Sequence, residues 1–368
     1  MTGMLYVSAL GATVGIDLSA LEPDDAAAVR AAWADAEAAT SDECARTVVP
    51  RASDRSRMLQ SLSRQVTRAA IDARRADLWM LHAAGIATPE GDVVAFVGPS
   101  GRGKTTASRH LGRHYGYVSD ETIGIDRDGR VFAYRKPLSI IEEPGAPKAE
   151  RGPSSVGLGA VPRDLRVRAI VLLHRSPDHG GAPVVAGIDV GDALDDLVTQ
   201  SSHLVERSDA LRFIAAVAEA TGGIRTVRYR EAGDLSGIVP GLLAASAPPA
   251  APVIAPPVAH ETAPEGGRGE EPLYVRAATV DELVLTAPDR VAVLTRDAGG
   301  RGTVHVLAGI APTLWAAASG VPFSGLVSAS LAAHGEPDGA DATGLVRESV
   351  DRLVAEGLLR VAATAAPT

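Results

Sequence analysis

Apolar positions along this chain follow two spacings, and where they change marks out its elements. Met4 to Ile16 carries short apolar stretches with strand character, and Glu22 to Ala38 is alanine-rich and helical. Met58, Leu59, Leu62, Val66, Ala69 and Ile71 fall near one helical face, and the spacing predicts a helix over Ser53 to Ala84. The stretch GDVVAFVGPSGRGKTTASRHL then reads as strand, glycine loop and helix. Further strands are expected at Tyr117–Val118, Thr122–Ile125, Val131–Ala133 and Val167–His174, with helices around Asp192–Leu204 and Asp209–Ala220. Strands and helices in this order imply an α/β core.

The pattern stops at Ala245 to Glu271, ASAPPAAPVIAPPVAHETAPEGGRGEE, whose proline density suits an extended linker. Beyond it the elements shorten. Leu283–Thr286 and Arg290–Leu294 are joined by a turn sequence, Ala287-Pro288-Asp289, and Thr303–Leu307 follows a glycine-rich hairpin turn. Three helices fit Ile310–Ala318, Phe323–His334 and Thr343–Glu356, with Gly320, Gly335 and Gly357 beyond their ends. The expected organisation is therefore an α/β extension over 1–78, an α/β P-loop segment over 79–244, a linker over 245–271, and a small α+β winged-helix-like module over 272–368.

Composition narrows the class. The chain has 368 residues, 46% hydrophobic, and a net charge of −9, which excludes wholesale disorder and disfavours general nucleic-acid binding. One cysteine, Cys44, excludes a disulfide framework and any multi-cysteine zinc site. The opening stretch has no basic n-region ahead of its apolar residues, and no apolar run nears the roughly 20 residues a membrane helix needs. A cytoplasmic protein with no membrane partner is the expectation. There are only three lysines, Lys104, Lys136 and Lys148, against 33 arginines. Where arginine is the default cation, a lysine marks places that need a compact ammonium. Lys136 before Pro137 could equally be an ordinary loop cation, and Lys148 lies in a Pro/Gly-rich stretch.

Gly98-Pro99-Ser100-Gly101-Arg102-Gly103-Lys104-Thr105 fits the phosphate-binding pattern G-x-x-x-x-G-K-[ST], placed after an apolar strand and before a helix. Its glycines let successive backbone N–H groups face phosphate oxygens, and the helix adds its positive end. Lys104 should reach the β/γ-phosphates of ATP, the Thr105 hydroxyl should meet Mg²⁺, and Thr106 beside it belongs to the nucleotide-binding stretch. The apolar run Ala169–Leu173, where a second metal-binding acid would be expected, ends in His174-Arg175 and carries none.

The acids sit nearer, in Tyr117-Val118-Ser119-Asp120-Glu121, and His82 lies upstream in Leu81-His82-Ala83-Ala84. With the P-loop, this arrangement resembles the HPr kinase/phosphorylase family and its shorter relatives in peptide biosynthesis clusters, over roughly Trp79 to Ser202. The resemblance implies a His-containing strand before the loop and Asp120 as base or metal ligand. It also implies Glu121 as second acid, although the family commonly has Asp there, and His82 near the phosphates. Tyr134-Arg135-Lys136-Pro137-Leu138-Ser139 is similar to a segment of the shorter relatives. From the residues alone, Asp120 and Glu121 could be turn residues and His82 a satisfied histidine.

The C-terminal module resembles the PqqD-like domains that recognise leader peptides of ribosomally made, modified peptides. The matching stretches are Val280-Asp281-Glu282-Leu283, Leu307-Ala308-Gly309-Ile310-Ala311 with Trp315, and Leu353-Val354-Ala355-Glu356-Gly357-Leu358-Leu359. The resemblance implies an open edge at Thr303–Leu307 and a groove along Thr343–Glu356, with Val304, Val306, Val346, Val350 and Leu353 as candidate peptide contacts. Each of these could instead be core. A DNA-binding winged helix is the rival; seven arginines against ten acids from residue 272 onward argue against it. Together the two resemblances imply an ATP-binding protein that recognises a precursor's leader and supports its modification by partner enzymes, similar to recognition proteins of daptide-type clusters. The alternatives are a peptide Ser/Thr kinase using Mg-ATP with Asp120 as base and, behind it, an acidic DNA-binding regulator.

Overall fold

The computed structural model describes residues 3–38, 44–51, 54–140, 148–244, 271–286, 289–337 and 339–362. Residues 245–270 of the expected linker lie outside them. Contacts divide the chain into two units: Met1–Arg207 with Ala216–Ala251, and Ser208–Ala215 with Pro252–Thr368.

The first unit opens with β1 (Met4–Ala9), β2 (Ala12–Asp17), α1 (Pro23–Trp33), β3 (Cys44–Val48) and α2 (Arg55–Arg74). Next come β4 (Trp79–Leu81), β5 (Ala83–Ala87), β6 (Asp92–Val97), α3 (Lys104–Leu111), β7 (Gly116–Ser119) and β8 (Ile123–Ile125). They are followed by β9 (Val131–Phe132), β10 (Leu138–Ile140), β11 (Ala149–Arg151), β12 (Arg166–Arg175) and β13 (Val184–Ile188). The remainder is α4 (Val190–Thr199), β14 (Ser201–Ser202), the later part of α5 (Ala210–Ala220), whose residues up to Ala215 count with the second unit, β15 (Ile224–Tyr229) and α6 (Val239–Ala244). The architecture is mixed α/β.

Two sheets position everything that follows. One has six strands in the order β13-β15-β12-β6-β5-β7, with β6, β12 and β15 parallel and the others antiparallel to their neighbours. The other is an antiparallel sheet, β14-β4-β8-β9. Val93–Val97 of β6 is buried throughout because strands flank it on both sides and apolar side chains cover its face, as expected of a central strand. Phe96, Val171, Val227 and Tyr229 share a core with Ala107 and Leu111 of α3 and Leu242 of α6. Each large apolar side chain buried here contributes about 1.5–3 kcal/mol.

Residues 1–78 do not stand apart. Leu5, Val14, Trp33, Leu62 and Val66 share one core with Leu78, Met80 and Tyr134. Helix α2 starts where Asp54 accepts the Arg57 N–H at 3.1 Å. It ends at Arg74, ten residues short of the expected Ala84, and this corrects the sequence reading. There the Arg74 guanidinium turns onto Asp77 (2.7 Å) and the Leu10 carbonyl (2.7 Å). Beyond it Trp79, Met80 and Leu81 are all buried, which strands packed on both faces satisfy and an amphipathic helix does not. The helix expected over Asp192–Leu204 likewise ends at Thr199.

In the second unit, β16 (Leu273–Arg276), β17 (Asp281–Thr286), β18 (Asp289–Arg296) and β19 (Gly302–Leu307) precede α7 (Ala311–Ala317). Then follow β20 (Ser319–Pro322), α8 (Phe323–His334), α9 (Ala342–Ala355) and β21 (Leu359–Ala362). The meander β17-β18-β19 contains the three expected strands, and β20-β16-β21 is a second antiparallel sheet. Trp315, Leu326, Val346, Val350 and Leu353 close a core with Tyr274 and Val293. Among the described residues no helix is long and apolar enough to cross a membrane.

Candidate functional site

The loop Gly98–Gly103 leaves the C-terminal end of β6 and enters α3 at Lys104. Gly101 and Gly103 adopt φ of +85° and +87°, a conformation that side chains with a Cβ rarely take. At Gly103 a Cβ would also stand 3.0 Å from the Tyr229 hydroxyl. The ends of the neighbouring parallel strands brace the loop: Tyr229 Oη donates to the Arg102 carbonyl, and Arg102 donates to the Arg175 carbonyl at 3.2 Å. Lys104 is buried and folds back on the loop, its Nζ donating to the carbonyls of Gly98 (2.5 Å) and Pro99 (3.2 Å). Burial lowers its pKa, against the pull of Asp120 and Glu121. Negatively charged phosphate oxygens would relieve that cost.

The opposite wall forms where the chain passes between the two sheets. It crosses once between β4 and β5, at His82, and again between β7 and β8, at Asp120 to Thr122. Because β4 pairs with β8 and β5 with β7, the two crossings lie side by side. At these bends His82, Asp120 and Glu121 line the same cleft as the loop.

A cleft of about 550 Å³ results, lined by His82, Ser100, Gly101, Gly103, Lys104, Thr105, Thr106, Asp120, Glu121, Lys136, Ser139, Lys148 and Arg175. His82, Asp120 and Glu121 thus line the same cleft as Lys104, Thr105 and Thr106. All three lysines of the chain are here. Pro99 and Arg102 line a neighbouring hollow with Arg175 and Pro177, while Gly98 is buried behind the loop.

Asp120 is buried, accepts the Tyr117 hydroxyl at 3.0 Å on Oδ1, and has Lys136 Nζ at 3.4 Å from the same oxygen. Glu121 Oε2 lies 3.2 Å from that ammonium. Burial works to lower the Lys136 pKa, but Asp120, Glu121 and Glu150 outweigh it and hold the group above the usual lysine value. Burial and then the Asp120 charge push the Tyr117 phenol far up, so it stays a neutral donor. His82 is held below its usual value, first by burial and then by the Lys104 charge, with the acids opposing.

Several contributors went unread in the sequence. Arg135 donates to the carbonyls of Tyr117 and Gly159 (both 2.7 Å) and pairs with Asp35 at 3.1 Å, pinning β7 in place. Ser139, on β10, donates to the buried Glu150 of β11 at 2.5 Å. Arg175 enters where β12 runs beside β6, the place where a second acid was sought.

Mg²⁺ fits the donor set. Thr105 and Asp120 offer hard oxygens to the same cleft, and the ammonium of Lys136 already stands where a cation meets both acids. Among the described residues no three His, Cys, Asp or Glu side chains gather into a metal cluster. A bound ion would therefore complete its shell with phosphate oxygens and water.

In the second unit, β19 is the terminal strand of its meander. Val306 is 38% exposed and Val304 partly so. Val346, Val350 and Leu353 are only 0–3% exposed. They belong to the core that includes Tyr274, Trp315 and Leu326. Within this unit Asp281 accepts the Leu211 N–H (2.8 Å) and the Arg212 N–H (3.2 Å) and pairs with Arg212 Nε (2.9 Å).

Compared with known proteins, the chain matches no family model and no curated sequence.

Proposed function

We propose that this chain is an ATP-binding recognition protein of a peptide-modification pathway. In this reading the first unit takes Mg-ATP in the Lys104 cleft. The second, of winged-helix-like PqqD type, holds the leader of a ribosomally made precursor while partner enzymes modify it. The observation that carries the nucleotide half is the convergence of the glycine loop, all three lysines and the Thr105 and Asp120 oxygens on one cleft. The edge strand β19 supports the peptide half, since an extended leader could add to it as a further strand.

A second reading, a peptide Ser/Thr kinase on an HPr-kinase-type fold, is favoured by one specific observation. Asp120, Glu121 and His82 open onto the same cleft as the loop, where Asp120 could accept a hydroxyl proton from a peptide substrate.

Incubating the full chain and Mg-ATP with a short peptide encoded beside its gene, followed by mass spectrometry, separates the two. In the recognition reading the peptide binds and its mass is unchanged. A one-phosphoryl gain that vanishes in Lys104→Ala establishes the kinase instead. ATP binding that is unaffected by Lys104→Ala removes both.

A further inference from the structure

Lys136 sits as a metal ion would. Its Nζ lies 3.4 Å from Asp120 Oδ1, 3.2 Å from Glu121 Oε2 and 3.5 Å from the Pro137 carbonyl. Lys136 and Asp120 are buried, while the Glu121 side chain is 41% exposed to the cleft. An ammonium among carboxylate and carbonyl oxygens uses the ligands a hard divalent cation would use, at lower charge and longer range.

The residue type points the same way. A chain with 33 arginines places its only three lysines around this cleft. A guanidinium forks onto carboxylates in a fixed, often bidentate geometry, whereas an ammonium is a compact point charge on a flexible stem. The first makes a permanent clamp. The second can be exchanged.

We propose that Lys136 is an internal counter-ion occupying the divalent-cation position between Asp120 and Glu121 until Mg-nucleotide enters, when the ammonium moves to the nucleotide's phosphate oxygens. This rests on the reading that the cleft takes Mg-ATP. Without nucleotide, a Lys136 displaced by metal would give up Asp120 and Glu121 and keep only the weaker pull of Glu150, so metal alone binds weakly. With nucleotide the ammonium gains a new partner, and metal and nucleotide become mutually dependent ligands.

Titration of the full chain with Mn²⁺, followed by the loss of its free-ion paramagnetic signal, tests this with and without ADP. Lys136→Met should tighten Mn²⁺ binding without ADP by about tenfold or more, and Mn²⁺ should raise that variant's melting temperature but not the wild type's. Equal Mn²⁺ affinity in the two proteins overturns the proposal. The Asp120→Asn/Lys136→Met double variant restores the wild-type net charge of the cluster and guards against misfolding. It should lose the tightened binding, and tight Mn²⁺ in it overturns the proposal too. Lys136→Arg should stay closed to Mn²⁺ and lose the gain that ADP confers on the wild type; wild-type coupling in this variant is a third contrary result. Tightened Mn²⁺ in Lys136→Met with no ADP binding to wild type would keep the counter-ion and remove the ATP reading. ADP binding with unchanged Mn²⁺ would do the reverse.

Discussion

His82 shows how neighbours set the chemistry of one side chain. Burial and the Lys104 charge both disfavour its protonated form, while Asp120 and Glu121 recover only part of that. Its folded pKa therefore lies below the ordinary 6.5, and the unfolded chain takes up the proton first as pH falls. Its contribution to stability is complete above about pH 6.5 and is lost as pH drops through the folded pKa. Thermal melts from about pH 7.5 to 5.5 should therefore fall more steeply for wild type than for His82→Gln. Parallel curves would show that the ring does not feel the cleft. At this scale the loop was legible, because its glycines, Lys104 and Thr105 lie consecutively in the sequence. Tyr117 and Arg135 were not. Each acts on a neighbour brought close by folding, and a lone Tyr or Arg carries no spacing signal.

Between elements, the decisive event is the crossing from one sheet to the other. β4 and β5 are separated by a single residue, His82, yet they belong to different sheets, and β7 and β8 repeat the crossing beside it. Strand β6 and helix α3 could be read from the sequence because a continuous apolar run and a glycine loop bound them. Strands β4 and β5 were legible only as the His-containing strand that the resemblance implies, because Trp79–Leu81 and Ala83–Ala87 are too short to show a period of their own. The Arg135–Asp35 pair, with each side chain only 10% exposed, locks β7 against this arrangement. Asp35 also accepts the Ser154 N–H and hydroxyl, both at 2.9 Å. Asp35→Ala leaves a buried guanidinium without its anion, and urea denaturation should show a loss of about 3–5 kcal/mol. A loss under about 1 kcal/mol, the value of an exposed pair, would mean that water reaches Arg135.

For the molecule as a whole, the proposed reading gives the two units different ligands, which should be separable by point substitution. A ligand that binds only the folded state stabilises it by RT ln(1 + [L]/Kd), about 2.7 kcal/mol at a hundredfold excess over Kd. Mg-ADP should give wild type a shift of this kind and Lys104→Ala little or none. Val306→Lys places a charge on the terminal strand of the β17-β18-β19 meander, where an added peptide strand would pack, and Val306 is already 38% exposed, so the fold should tolerate it. Leader affinity should fall by about tenfold or more, equivalent to about 1.4 kcal/mol, while the Mg-ADP shift stays at its wild-type value. Lys104→Ala should give the converse. The three helices of this unit were legible from glycine-terminated apolar periods. β16, β20 and β21 were not, since four-residue strands whose partners lie more than forty residues away in sequence leave no local pattern. If Val306→Lys leaves peptide affinity intact, the leader does not add to β19. If it also abolishes the nucleotide shift, the units are coupled and the separable arrangement fails.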